Sequence, residues 1–339
     1  MNQYFYELPR ELIAQKPAEP RDSSRLFVYD TKTDEIFFDV FRNCGEYIPS
    51  GSTLILNKTK VVPARVYMEK ETGGKIEVLF LINEYGGGKE FLVIVDRKLI
   101  IGQKLFFPNR KAFEVIDQKD QFFTLKCLFD ESEIFSLLEI FGTTPIPKYI
   151  HEHNLSESVI KDRYQSIFAE TPASIAAPTA SLHFTNEVFE SLKKKDVITA
   201  EILLHVGMGT FAPVSDVQIQ SGMLHKEWYS IPKETEEVIK LCSQKSIIPV
   251  GTTAMRALES FAKTEKNEGI TNLFIKRPFQ FRVASGLITN FHVPESSLMF
   301  LVDAFLEYKH SKRTILDLYK IAIKEKFRFY SFGDAMYIK

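Results

Sequence analysis

The sequence predicts an α/β sandwich domain interrupted by a small antiparallel β-barrel domain. Three observations carry this expectation. Beyond Ser174, apolar runs alternate with amphipathic stretches, the pattern of strands backed by helices. Between Val61 and Leu128 the pattern changes to short strands separated by turn residues, which describes about five or six antiparallel strands. A length of 339 residues exceeds the usual size of one core, and 45% hydrophobic residues, 29 Phe among the aromatics, supply material for two. The expected division puts residues 1–59 and 149–339 in a discontinuous α/β domain and residues 60–148 in the insert.

Tyr4 to Arg25 contains three prolines and the basic residues Arg10, Arg21 and Arg25, and a strand starts at Leu26. This irregular segment reads either as a loop turning Arg21, Asp22, Ser23, Ser24 and Arg25 toward a ligand or as a solvated arm. Ser52–Leu56 is a further strand, followed by a turn holding Asn57, Thr59 and Arg65 around Pro63. In the insert, KIEVLFLI and FLVIVD flank NEYGGGKE, and AFEVID and FFTLKCLF flank QKDQ. Glu131–Phe141 reads as a helix stopped by Gly142, and the prolines after it break regular structure.

The stretch Ser174–Phe211 holds two histidines around one helix. Thr185 is its expected N-cap, and Val188, Phe189 and Leu192 form its apolar stripe. The run Val197–Leu204 reads as a buried strand. His183 enters the helix and His205 leaves the strand, so antiparallel neighbours would open both histidines onto one side of the sheet. Further elements are expected at Glu234–Cys242 (helix), Ile247–Val250 (strand), Thr253–Ala262 (helix), Gly286–Phe291 (strand), Ser297–Leu306 and Thr314–Lys326 (helices).

A formal charge of −1 speaks against non-specific polyanion binding, so any RNA contact must come from a local patch. Cys44, Cys127 and Cys242 are odd in number and widely spaced, which fits a reducing compartment and no structural zinc site. Glu7, Arg10 and Glu11 precede any long apolar run, and Leu298–Leu306 falls short of the roughly 20 residues a membrane span needs. A cytoplasmic location is expected.

In an α/β sheet, ligands gather where strand C-termini meet helix N-termini. Three such junctions, HVGMGTFAP, VGTTAMRALE and TNFHVPESS, bring forward His205, Gly207, Gly209, Thr210, Thr252, Thr253, Arg256, Thr289, Asn290 and His292. GMGTFA fits a loose dinucleotide pattern, but Pro213 follows and no helix opens on the glycines, so its mechanical basis is missing. VGTTAMR also reads as a plain strand-to-helix junction with Thr252 as N-cap. A lone histidine is usually structural. Here His183, His205 and His292 all fall at element ends, which favours a titrating role for one of them. No close pair or acidic neighbour supports a metal, and none is expected.

Eight ordered blocks carry a resemblance across nearly the whole chain: YELPRELIAQKPAEPRDSSRL, LILNKTKVVPAR, GGKIEVLF, RYQSIFAETPASIAAPTASLHFT, LLHVGMGTFAPV, VGTTAMRALES, LITNFHVPESSLMFLV and YSFGDAMYI. The sequence resembles the S-adenosylmethionine:tRNA ribosyltransferase-isomerase family of queuosine synthesis. Departures from the family pattern are Ala173 and Ser181 for glycine, Arg277-Pro278 for a Pro-Gly pair, and Ala212 for an arginine beside the glycine loop. The last puts in doubt an RNA or substrate contact at that position.

The resemblance implies an α/β domain with an inserted barrel. It also implies movement of the ribosyl portion of S-adenosylmethionine onto 7-aminomethyl-7-deazaguanine at the tRNA wobble position, with loss of adenine and methionine and formation of epoxyqueuosine. S-adenosylmethionine is then a substrate, and no separate cofactor, metal, membrane or protein partner is implied. Such chemistry needs a base, a proton donor and a water-poor pocket. His183, His205, His292 and Asp334 are the candidates for acid–base roles. Thr179, Gly207, Gly209, Thr210, Thr252, Thr253, Arg256 and Asn290 are the substrate-binding candidates, and the three histidines are expected in one pocket with Thr252 and Arg256. Contacts to an unstacked anticodon are expected from Arg10, Arg21, Arg25, Lys58, Lys60 and Arg65, for each of which a solvated basic face is the alternative. A methyltransferase would instead call for an early glycine loop, absent after Asn57-Lys58-Thr59. A non-catalytic RNA-binding module would call for a stronger basic excess.

Overall fold

The computed structural model describes residues 3–151, 154–207, 213–241 and 246–339. Gly209, Thr210, Ala212 and Cys242 lie outside the described residues. Two sheets meet edge to edge to make one continuous mixed surface. In the first, Thr53–Asn57 is flanked in parallel by Ile247–Pro249 and Ile198–Leu204, and Met223–Ser230 and Glu268–Leu273 add antiparallel beyond the latter. In the second, Leu287–Asn290, Ala335–Ile338, Arg25–Tyr29 and Ile36–Val40 follow in that order. The seam is a parallel bridge between Val250 and Ile288, with Gly251 N donating to Ile288 O at 2.7 Å and Ser285 N to Ile247 O at 2.9 Å.

Strand alternation explains why helices cover both faces. Leu26, Val28, Leu54, Leu56, Ile248, Ile288 and Tyr337 point to one side, where Val188 and Leu192 of the Asn186–Lys193 helix pack on them. Phe27, Tyr29, Leu287, Met336 and Ile338 point to the other, against the helices Ser297–Tyr308 and Ile315–Lys324. On that same face Ile55, Ile202 and Ile247 meet Ala254, Ala257 and Leu258 of the Thr252–Thr264 helix. A strand buried on both faces reads as a near-continuous apolar run, and Thr53–Asn57 is buried throughout, with Leu54, Ile55 and Leu56 between two hydrogen-bonding ends.

The barrel strands alternate in the same way around a smaller core. Val66 and Met68, Ile76 and Val78, Phe91 and Val93, Phe113 and Val115, and Phe123 and Leu125 are all buried. Arg65–Lys70, Lys75–Phe80, Glu90–Val95, Phe122–Cys127, Ala112–Lys119 and Lys104–Phe106 pair in sequence, and Lys104–Phe106 returns to Arg65–Lys70 to close the ring. Closure removes the exposed sheet edges that a small open sheet would leave. The Ile134–Phe141 helix ends on Gly142, whose Cβ position would lie 1.7 Å from Pro63 O and 2.4 Å from Leu138 O. Gly142→Ala is therefore expected to destabilise by about 3 kcal/mol or more, since backbone cannot yield as a flexible side chain can. A fall in unfolding midpoint checks it.

The chain leaves and re-enters the α/β sheet side by side, because Thr59–Val61 pairs in parallel with Thr171–Ser174. Buried Asn57 clips this crossing to the sheet: Nδ2 donates to Leu204 O at 3.0 Å, and Oδ1 accepts from Leu204 N at 3.1 Å and Thr59 N at 3.2 Å. Cys44 and Cys127 are buried free thiols. Among the described residues no helix is long and apolar enough to cross a membrane.

Candidate active site

Four parallel strands end along one edge of the sheet, at Asn57, Leu204, Pro249 and Asn290. Arg25–Tyr29 and Ala335–Ile338 run the other way and begin at the same edge. Candidate residues from distant parts of the chain are thereby collected on one rim. The helix after Ile247–Pro249 starts from Gly251, which serves as N-cap at φ 92, so Thr252 is the first helical residue rather than the cap. A positive φ there explains the glycine.

The expected single histidine pocket is not what forms. His183 sits beside Asn290 and His205 follows Leu204, three strands away in the sheet order, which at about 4.8 Å per strand separates them by roughly 14 Å. Each histidine faces a different cavity.

His183 is buried, with Nδ1 2.8 Å from Ser24 Oγ and Nε2 3.1 Å from Asn290 Nδ2. The Asn290 amide donates to it, so Nδ1 carries the proton and donates to Ser24. Thr179 donates to Asn290 Oδ1 at 3.0 Å and completes the network. His292 lies between Thr289 Oγ1 (3.0 Å) and Tyr319 OH (3.2 Å). Thr179, Thr252, Thr253, Asn290 and His292 share a cavity of about 20 Å³, room for roughly one water. Asp334 accepts from Arg25 N, Arg328 N and the Arg328 guanidinium, so both oxygens tie the chain turn at Arg328 to the first strand. These partners suit a structural carboxylate.

Burial lowers the His183 pKa to about 4, against a smaller upward pull from Asp334, and burial lowers His292 to about 3. Both rings are neutral at pH 7. An unfolded imidazole titrates near 6.5. As pH falls below that value the unfolded chain takes up protons that the folded chain refuses, so stability present above about pH 6.5 is lost progressively toward pH 3 to 4. Melting temperature is expected to drop across that window, and less steeply in His292→Gln.

His205 differs from both. Its Nδ1 is 3.1 Å from Thr59 Oγ1, its ring stacks on Trp228 at 4.9 Å between centroids, and its Nε2 makes no bond to a described residue. Thr59 is itself held by Ser174 Oγ at 2.6 Å, which accepts from Val206 N at 2.8 Å. Burial lowers the His205 pKa to about 4. The ring borders a cleft of about 480 Å³ between barrel and sheet, together with Asn83, Glu84, Ala173, Glu227 and Trp228. That volume lies in the range of small-molecule sites.

A second cleft of about 130 Å³ adjoins it, sharing Asn83, Glu84, Lys226 and Glu227 and adding Gly207, Arg256 and Ser297. Arg256 and Glu227 form a buried ion pair, and Glu227 Oε1 also accepts from Gly207 N at 3.1 Å. Glu84 stands at the rim, where desolvation raises its carboxyl pKa against the pull of His225. Of the expected substrate residues, Gly207 and Arg256 line these larger spaces.

The full chain matches a family model described as "Queuosine biosynthesis protein" over residues 1–338. A relative from Sulfurihydrogenibium is 43% identical over all of this chain and 99% of its own length, and one from Thermotoga maritima is 40% identical with the same coverage. Both are named S-adenosylmethionine:tRNA ribosyltransferase-isomerase. The chain belongs to the queuosine biosynthesis protein family. A crystal structure of the S-adenosylmethionine tRNA ribosyltransferase from Thermotoga maritima aligns over 99% of both chains at a TM-score of 0.55 and 33% identity. The α/β fold with an inserted barrel is the one expected from the resemblance.

For this family member the basic candidates do not form one free patch. Arg21 donates to the carbonyls of Gln165 and Asp162, and Arg25 donates to Glu325 O at 2.6 Å while lying over the Phe327 ring. Lys58 bridges Glu170 and Glu201, and Arg65 is 3.5 Å from Glu77. Arg10 is exposed, and Lys60 is half-buried. Among the described residues no group of three or more His, Cys, Asp or Glu could hold a metal. Asn83, Glu84, Glu227 and Trp228 were missed from sequence. Asn83 and Glu84 sit in a segment that reads as a hairpin loop, and Glu227 occupies an inward position of an unrecognised polar strand, where alternation was the available signal.

Proposed function

We propose that the chain is an S-adenosylmethionine:tRNA ribosyltransferase-isomerase that moves the ribosyl group onto 7-aminomethyl-7-deazaguanine at the tRNA wobble position. Adenine and methionine leave, and epoxyqueuosine remains in the tRNA. The observation that supports this most is similarity along the whole chain, at 40% identity and above, to relatives that carry that enzyme name. The cleft of about 480 Å³ between barrel and sheet supports it from the structural side.

The chemistry begins with a proton on the ribose carbon next to sulfur, acidified by the sulfonium. His205 is the base in this reading: with Nδ1–H donating to Thr59, the Nε2 lone pair faces the cleft. Its low pKa keeps that lone pair free over a wide pH range, at the cost of a weaker base. Departing adenine takes up a proton, for which the Glu84 carboxyl at the rim is the donor. The carbanion pair forms a carbon–carbon bond to the carbon that loses adenine. The neutral amine then bonds to that carbon, displacing the ring oxygen and releasing a proton, and the freed oxygen closes the epoxide on the carbon that loses sulfur. The sulfur–ribose bond breaks with both electrons going to sulfur, so methionine leaves as a neutral thioether, and no oxidant or reductant is needed. Trp228 offers a flat wall against which a base can stack.

Partners in this reading are S-adenosylmethionine and tRNA, with no separate cofactor. The expected result with S-adenosylmethionine labelled in the ribose is label on tRNA that carries the aminomethyl base and none on tRNA with guanine there. Label transferred only from the methyl group would contradict it.

A further inference from the structure

Two residues that line the smaller cleft each carry a buried polar atom without a hydrogen-bond partner among the described residues: the Arg256 Nε–H and the Asn83 Oδ1. Arg256 is 5% exposed and Asn83 8%. Buried donors and acceptors are rarely left unmade, because each has given up its bond to water. One open donor and one open acceptor beside a cavity therefore describe a ligand that brings the complements of both. The Arg256 charge is already balanced by Glu227. A site balanced in this way suits a zwitterion, whereas a lone anion or cation would leave one of the two open atoms unmatched.

We infer that this cleft holds the α-amino-carboxylate end of an amino-acid substrate, with the carboxylate on Arg256 Nε–H and the ammonium on Asn83 Oδ1. The inference rests on the functional reading above and names the methionyl end of S-adenosylmethionine as the occupant. Since the two clefts share Asn83, Glu84, Lys226 and Glu227, a substrate anchored there runs its sulfonium past Glu84 and Glu227. Its adenosine then enters the larger cleft beside His205 and Trp228.

Equilibrium binding to the full chain, with and without tRNA, tests the assignment using three probes: S-adenosylmethionine, its decarboxylated form and its deamino form. Wild-type protein is expected to bind S-adenosylmethionine at least roughly tenfold more tightly than either truncated probe. Asn83→Ala is expected to lose the preference over the deamino form and keep that over the decarboxylated form. Arg256→Gln should show the reverse. If Arg256→Gln does not fold, the pair Arg256→Gln with Glu227→Gln leaves no buried charge and takes its place. Equal binding of all three probes by the wild type, or unchanged preferences in Asn83→Ala, overturns the inference while leaving the functional reading intact. No binding of S-adenosylmethionine under either condition overturns both.

Discussion

Replacing His205 by alanine is expected to lower turnover by about 10²- to 10⁴-fold, the range for removing a general base, while S-adenosylmethionine affinity changes little. A group that acts only in the transition state leaves ground-state binding nearly intact. Of the three candidate histidines, His205 alone has one ring nitrogen anchored and the other without a bond to a described residue, on a ring that lines a substrate-sized space. His183 and His292 have both nitrogens engaged in buried networks, so His183→Gln and His292→Gln should alter stability more than chemistry. The pH profile carries a second signature. With the His205 pKa near 4, kcat/KM should hold through pH 6.5, where an ordinary imidazole would already be half protonated. Steady-state kinetics of the three variants from pH 5 to 8 would separate these roles.

Breaking the Arg256–Glu227 pair from one side is expected to cost about 3–5 kcal/mol of stability, because each single change strands a buried charge. Arg256→Met and Glu227→Gln should each lower the unfolding midpoint sharply, and the double variant should recover most of the loss. The pair joins the Thr252–Thr264 helix to the Met223–Ser230 strand at the floor of the cleft, so its loss would also loosen the site. Trp228, the single tryptophan, is adjacent in sequence to Glu227, and its fluorescence during urea unfolding reports on this region.

Local patterning reached most of the architecture. The alternation in KIEVLFLI and AFEVID, the N-cap at Thr185 and the double-faced apolar run TLIL lie within short windows and depend little on distant contacts. Polar and terminal strands escaped. Ile36–Val40 and Met223–Ser230 keep polar or exposed residues at many positions, and Ala335–Ile338 is short enough to pass for a tail, although it pairs with two other strands. The rim at strand ends was legible because chain direction alone collects residues there. Which rim residues share a cavity depends on strand order, and no local pattern states that the Thr53–Asn57 and Ile247–Pro249 strands lie between His205 and Asn290. The barrel's contribution of Asn83 and Glu84 to the cleft depends on how barrel and sheet meet, which is a property of packing rather than of periodicity.

Bond inventory tests the central claim most directly. Ribosyl transfer with isomerisation breaks both the sulfur–ribose and the ribose–adenine bonds of S-adenosylmethionine, whereas methyl transfer breaks only the sulfur–methyl bond. Incubation of the protein with S-adenosylmethionine and tRNA bearing 7-aminomethyl-7-deazaguanine is expected to release free adenine and free methionine in equal amounts, with the ribosyl carbons retained on the tRNA. S-adenosylhomocysteine as the only small-molecule product would contradict the account.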